Sequence, residues 1–370
     1  VEAAHRSRSG LGVVTTPSIW VVGVGGIGAA LGARLAQSAP EGDVLLVDGW
    51  ADNVAAINER GLMVDYADGT VVAHAPAVTL EQLADGGHPA PDVVILAVKS
   101  YQTAPTVELL KPLIGSGTAV VSAQNGLNED VISDVLGADR TIGAVCLFDG
   151  ELVAPGKARQ RRTDGKMVIG QLSGESDGRV ADVAARLRTA VEVEVCENIY
   201  GELWTKVIRN GMINGVCALA GCDVGTAVSD DDTLGIIVAL GVEGVRVARA
   251  LDVTLMEADL YGATVADFER GFEDPASFER AAAKVRAEYL GFARVIPSMA
   301  QDVGKARPTE IEFLNGVVAA RGAGVGLPTE VNTGIVTAVK AIEGTQHRPQ
   351  AGRSAIRSLA ATVAALRSGA

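Results

Sequence analysis

The chain has 370 residues, 48% of them hydrophobic and 21% charged, enough apolar material for two cores at about 150 residues per domain. Its 32 Lys and Arg against 45 Asp and Glu leave a net charge of −13, which repels nucleic acid and anionic membrane surfaces, so neither is an expected partner. Cys146, Cys196, Cys217 and Cys222 are scattered without a Cys-x-x-Cys pair, which speaks against a metal site or disulfide framework and for a reducing, cytoplasmic setting.

Residues 1–18 are polar, carry His5, Arg6 and Arg8, and lack the apolar core of a signal peptide, so they are set aside as a disordered leader. No apolar run reaches the length of a membrane span. Continuous apolar runs at 19–24, 44–47, 93–98, 119–122 and 141–145 predict strands buried on both faces. Between them 27–37, 51–60 and 101–113 have helical spacing, and strand alternating with helix predicts an α/β fold with a doubly wound parallel sheet. Asp68-Gly69, between Leu62 and Val78, predicts a hairpin. After Cys196 come long, alanine-rich segments with a period of about 3.6 at 199–219, 231–250, 276–293, 311–321 and 331–341, then a terminal helix with a frayed end in 351–370. The expected domains are 19–196, binding a dinucleotide, and an all-helical 197–345, binding substrate or a second copy, with 346–370 as a tail. A cleft between them is the expected site.

Gly23-Val24-Gly25-Gly26-Ile27-Gly28 follows the first predicted strand and opens the first predicted helix. That is the Rossmann context, in which Gly23 permits the tight turn, Gly25 the approach of a pyrophosphate, and Gly28 close packing of helix on strand. Gly26 and Ile27 complete the cofactor-binding turn. Asp48 ends the second strand 20 residues after Gly28. A carboxylate there can accept both ribose hydroxyls of an adenosine and repels a 2′-phosphate, and no arginine follows until Arg60. NAD is favoured, with NADP left open. A loop aspartate that caps the next helix is the competing reading of Asp48, and Asp52 competes for that cap.

Lys206, Asn210 and Asn214 recur at i, i+4 and i+8 of one predicted helix, and successive offsets of about 40° leave them on one face. Leu203, Val207, Ile208 and Ile213 around them can pack, so the polar stripe is inset in an apolar helix. An ammonium within reach of a carbonyl oxygen stabilises the charge that grows there during hydride transfer and can donate the proton.

The glycine-rich start, Ala97-Val98-Lys99-Ser100-Tyr101-Gln102, Gln124-Asn125-Gly126-Leu127, the Leu203-Trp204-Thr205-Lys206 helix with its two asparagines, and Thr309-Glu310-Ile311-Glu312-Phe313-Leu314-Asn315-Gly316 occur in that order. From about Ile19 to Glu343 the chain resembles the ketopantoate reductases (2-dehydropantoate 2-reductases). The resemblance implies hydride transfer between a nicotinamide and a 2-oxo or 2-hydroxy acid in the interdomain cleft. Lys206 would be the general acid, and Glu310 would bond the substrate hydroxyl and help place that lysine. Asn210 and Asn214 would hold substrate polar groups, Ser298 the carboxylate, Asn125 the junction of nicotinamide and substrate, and Lys99 would lie near the cofactor. For Glu310, a first-turn acid of a helix begun at Pro308 is the alternative.

Three features depart from the family pattern. Asp48 stands where many members carry a basic residue for NADP. Gly215 replaces a proline after Asn214, which predicts a looser helix end. The stretch 223–297 is longer and adds Tyr261, Phe268, Phe272, Phe278 and Tyr289, which could enlarge a pocket or simply pack helices. The sequence thus predicts an NAD(P)-dependent reductase of the ketopantoate type, without a metal and with a homodimer as a plausible assembly. An NAD-linked dehydrogenase oxidising a bulkier hydroxy acid, or a non-catalytic dinucleotide sensor, are the alternatives.

Overall fold

The structure, a computed structural model, describes residues 18–161, 165–174, 178–257, 260, 262–345 and 349–369. The leader through residue 17, Tyr261 and the first residues of the expected tail therefore lie outside the described residues.

The strands in chain order are β1 (Ile19–Val22), β2 (Val44–Asp48), β3 (Leu62–Tyr66), β4 (Gly69–Ala73), β5 (Ala77–Thr79), β6 (Val93–Leu96), β7 (Ala119–Ser122), β8 (Thr141–Cys146), β9 (Glu151–Ala154), β10 (Lys157–Arg159), β11 (Lys166–Gln171) and β12 (Glu192–Val195). The helices interleaved with them are α1 (Gly26–Ser38), α2 (Ala51–Arg60), α3 (Leu80–Ala84), α4 (Thr103–Leu110), α5 (Glu129–Leu136) and α6 (Gly178–Leu187). After β12 follow α7 (Ile199–Ala220), α8 (Val224–Ser229), α9 (Asp231–Ala250), α10 (Val265–Glu269), α11 (Pro275–Leu290), α12 (Ser298–Gly304), α13 (Ile311–Gly324), α14 (Glu330–Lys340) and α15 (Pro349–Ser368).

Among the described residues one sheet has eight strands, in the order β12-β11-β8-β7-β6-β1-β2-β5. Val22 lies opposite both Val47 and Leu96 in parallel register, so the carboxyl ends of β1, β2 and β6 open on one edge. Alternation across the sheet explains the unbroken apolar runs. Ile19 and Val21 join the core under α1 and α6, while Trp20 and Val22 join a second core with Val107 and Leu110 of α4 and Ile132 of α5. The sheet is parallel-rich and not wholly parallel: β11 pairs antiparallel with β8 and carries β12 parallel to itself. The expected hairpin forms from β3 and β4 and joins β10 and β9 in a separate sheet of four strands. The sequence reading placed no strands between residues 146 and 196, because β9 and β10 are short and carry exposed side chains, giving no continuous apolar run.

The helices after β12 share a third core, which reaches back to Val145 and Val168 of the sheet. Its centre is α7, and the longest side chains of that core, Trp204, Phe268 and Phe278, are fully buried. Phe268 packs against Gly241 of α9, and Phe272 stacks on Phe278 with centroids 6.5 Å apart. Tyr289 is buried with them. Phe268, Phe278 and Tyr289 thus pack helices together, the second of the two readings open for the aromatics of 223–297. The expectation at Gly215 is corrected: α7 runs through it to Ala220, and its bare Cα lets Ile311 and Ile335 pack within a distance no Cβ would tolerate.

Two buried polar links fix α13 and α14. Glu243 of α9 accepts the Val331 and Asn332 amides at 2.8 Å each, capping α14 from another helix. Asn315 donates to the Gly211 carbonyl of α7 and to Asn332, at 3.0 and 2.9 Å. No helix among the described residues is long and apolar enough to cross a membrane.

Candidate active site

The glycine turn comes first in the chain and shows three different uses of a missing side chain. Gly23 has φ +93°, and a Cβ there would collide with the Ala97 and Val98 backbone; a Cβ on Gly28 would strike the Gly23 carbonyl. Gly25 is the opposite case, with open space where a side chain would stand. It precedes α1, which has no side-chain cap and no acid in its first turn, so the positive helix end and its free amides are open to an anion. This cradle fits a dinucleotide pyrophosphate. Ile27 is half-buried beside it, whereas Gly26 packs against the Gly150 backbone.

Asp48 ends β2 as a structural anion. Its Oδ2 accepts the Val24 amide at 2.8 Å and Asn53 Nδ2 at 3.0 Å, and its Oδ1 accepts the Trp50 amide at 2.8 Å. The carboxylate therefore pins the glycine turn to the entry of α2 but is not a side-chain cap of α2, which starts after Trp50 without one. Oδ1 has capacity for another donor, and the fixed negative charge stays at the strand end.

The loop after β6 meets the helical half. Lys99 Nζ donates to Asp302 Oδ2 of α12 at 2.8 Å and to Glu310 Oε2 at 3.4 Å. Burial alone would lower the Lys99 pKa, but these two carboxylates outweigh it and raise it. Glu310 Oε1 accepts both the amide and the hydroxyl of Ser100, each at 2.9 Å. Glu310 is the N-cap of α13, which begins at Ile311 rather than at Pro308, and its side chain makes no capping hydrogen bond. Its partners are Ser100 and Lys99; Lys206 and Glu310 sense each other's charge without a hydrogen bond. Asn125 belongs to the same network through its carbonyl, which accepts Ser100 Oγ and Asn128 Nδ2 at 2.6 Å each. Its side-chain amide has no partner among the described residues.

On α7 the expected stripe is present. Asn214 is buried and Lys206 and Asn210 are half-buried, between Leu203, Val207, Ile208 and Ile213, all in the core. Among the described residues, the Lys206 ammonium and the Asn210 and Asn214 side-chain amides make no hydrogen bond or ion pair. Three polar groups on one face of an otherwise packed helix are thus left for something outside the chain. Burial pulls Lys206 below the ordinary lysine pKa, against the opposing pull of Cys146, Glu129 and Glu310. Ser298 is exposed at the first position of α12, one turn before Asp302.

Sequence reasoning missed Asp302, Ser100 and Glu129. Asp302 carried a weak signal, lying four residues after Ser298 on the same helical face. No group of three or more His, Cys, Asp or Glu among the described residues is arranged to hold a metal.

Comparison with known proteins matches two family models in tandem. Residues 19–174 match "Ketopantoate reductase PanE/ApbA", and residues 198–343 match "Ketopantoate reductase PanE/ApbA C terminal". The 2-dehydropantoate 2-reductase of Halobacterium salinarum is 31% identical over 305 residues, 81% of this chain and 90% of that one. A PanE/ApbA family ketopantoate reductase from Ralstonia eutropha superposes with a TM-score of 0.72 at 27% identity, covering 89% of this chain and 99% of that one. D-mandelate dehydrogenase, solved with NADH and anilino(oxo)acetate, shares the fold with a TM-score of 0.72 at 23% identity over 92% of this chain and 99% of that one.

Proposed function

The chain belongs to the ketopantoate reductase family and is an oxidoreductase of 2-oxo and 2-hydroxy acids, and we propose that it reduces 2-dehydropantoate to pantoate with Lys206 as the proton donor. The observation that carries this reading is the α7 stripe, whose ammonium and two amides have no hydrogen-bond or ion-pair partner among the described residues. A bound nicotinamide dinucleotide supplies the hydride. The Gly23–Gly28 turn and the start of α1 are suited to hold its pyrophosphate, and Asp48 its adenosine ribose.

As the carbonyl carbon is reduced, negative charge develops on its oxygen. Lys206 Nζ stabilises that charge and gives up a proton, and its lowered pKa makes it a stronger acid near neutral pH. In the reverse direction the neutral amine takes the hydroxyl proton. Asn210 and Asn214 donate to the substrate's oxygens, and Ser298 is assigned its carboxylate. Glu310 acts as a positioning residue, because both its oxygens are engaged by Ser100 and Lys99. Phe268, Phe278 and Tyr289 are committed to the core, so they do not argue for a bulkier acid. The fixed charge of Asp48, with Asp52 exposed in the first turn of α2 and no basic residue before Arg60, favours NADH.

The test is turnover of 2-dehydropantoate beside a panel of 2-oxo acids, with NADH and NADPH in parallel. The proposal expects 2-dehydropantoate to give the highest kcat/KM; consumption of none of the acids contradicts it.

A further inference from the structure

Among the described residues, the carboxyl of Glu129 is buried without a well-formed hydrogen bond or an ion pair. Glu129 opens α5, four residues after Asn125, and is 1% exposed. Among the described residues neither of its oxygens has a partner at full hydrogen-bond geometry; its own amide and the Ser122 hydroxyl approach it only loosely. A first-turn acid that only complements a helix dipole does so from the surface, where it costs nothing to ionise. Buried and unbonded, a carboxyl is destabilising, so its presence calls for another use.

Its surroundings supply one. Leu127, two residues before Glu129, shares a buried cluster with Val145 of β8 and with Leu203 and Val207, which flank Lys206 on α7; α5 and α7 both pack against β8, the strand that ends in the buried Cys146. The Lys206 ammonium makes no ion pair among the described residues, and Glu129 is one of the charges it feels. Taking the reading of Lys206 as proton donor as given, we propose that Glu129 is a positioning residue for the reaction: an unpaired buried carboxylate behind Lys206 whose charge keeps the proton on Nζ until the substrate oxygen takes it.

The electrostatics of each group agree in sign. Burial raises Glu129 to about 7, with its own amide, the Ser122 hydroxyl and Lys206 pulling down and Asp130 pushing up. Burial lowers Lys206, while Cys146 of β8, Glu129 of α5 and Glu310 before α13 raise it and Arg209 of α7 lowers it. Cys146 is itself buried with its thiol pKa raised by burial, so it stays neutral. Glu310 is shared between Ser100 and Lys99. Unlike Glu310, Glu129 makes no ion pair among the described residues.

The variants Glu129→Gln and Glu129→Asp test this, with the Lys206 titration read from its 13Cε resonance, assigned by its loss in Lys206→Ala, and the pH profile of kcat read beside it. The amide keeps the shape and removes the charge, so the Lys206 midpoint should fall by about one unit or more, a tenfold change in its proton affinity. The basic limb of kcat should move down with it, and Glu129→Asp should lie between. A merely structural role would lower stability and leave both midpoints in place. An unchanged Lys206 midpoint in either variant overturns the proposal. A shifted midpoint with an unshifted kcat limb upholds the pairing and overturns Lys206 as the proton donor.

Discussion

Glu310 Oε1 accepts two hydrogen bonds of 2.9 Å from one residue, the amide and the hydroxyl of Ser100, 210 positions earlier in the chain. Its other oxygen faces Lys99, which also binds Asp302. Sheet edge and helical half are thereby latched together, and one oxygen of the carboxylate that the family resemblance assigns to the substrate hydroxyl is taken up by Ser100.

Glu310→Ala is therefore expected to cost about 1.5–3 kcal/mol, because it strips a charged acceptor from two buried donors. Chemical denaturation measures this. Glu310→Gln keeps an acceptor for Ser100 and should retain most of the stability while lowering turnover. Equal stability of wild type and Glu310→Ala would show that the latch does not hold.

NADH should bind at least tenfold more tightly than NADPH, a difference of about 1.4 kcal/mol, because the Asp48 carboxylate is held in place by Val24, Trp50 and Asn53. Asp48→Asn removes the charge and keeps one of the two acceptor oxygens, so it should narrow the preference and also cost some stability, because its NH2 group then faces a backbone or Asn53 donor. Fluorescence titration of both cofactors reads it. Equal affinities in the wild type would remove Asp48 from cofactor choice.

Glu129 gives a pH dependence of definite sign. Its folded-state pKa is raised to about 7 from the ordinary 4.5 of a free carboxyl, so between those values the folded protein holds a proton that the unfolded chain has released. Stability from this group is then present at low pH and lost as pH rises through about 7. Glu243 shifts the same way, so the comparison is between wild type and Glu129→Gln. The variant should gain stability relative to wild type on going from pH 5 to pH 8; a constant difference contradicts the raised pKa.

How much of this was legible in the sequence depends on the range of the interactions. The strands β1, β2, β6, β7 and β8 were readable because both their faces are buried, which leaves an apolar run with no gaps. The α7 stripe was readable because helix spacing alone puts Lys206, Asn210 and Asn214 on one side. Helix limits followed local signals closely, as at 51–60, which is α2. The reversal of β11 was not readable, since a short run such as Lys166–Gln171 has no direction until it pairs with β8. Glu129 reads locally as a solvated first-turn acid, and its burial leaves no local signal in the sequence. The aromatics of 223–297 were ambiguous for the same reason: Phe268 could face a cleft or a helix, and Gly241 of α9 decided it.

The most direct measurement is kcat for reduction of 2-dehydropantoate by NADH in wild type and in Lys206→Ala, with cofactor affinity measured on both. General acid catalysis typically contributes about 10²–10⁴-fold, so the variant should lose about 10² or more in kcat and bind NADH as the wild type does. A variant that keeps near wild-type kcat would show that the unpartnered ammonium of α7 is not the proton donor.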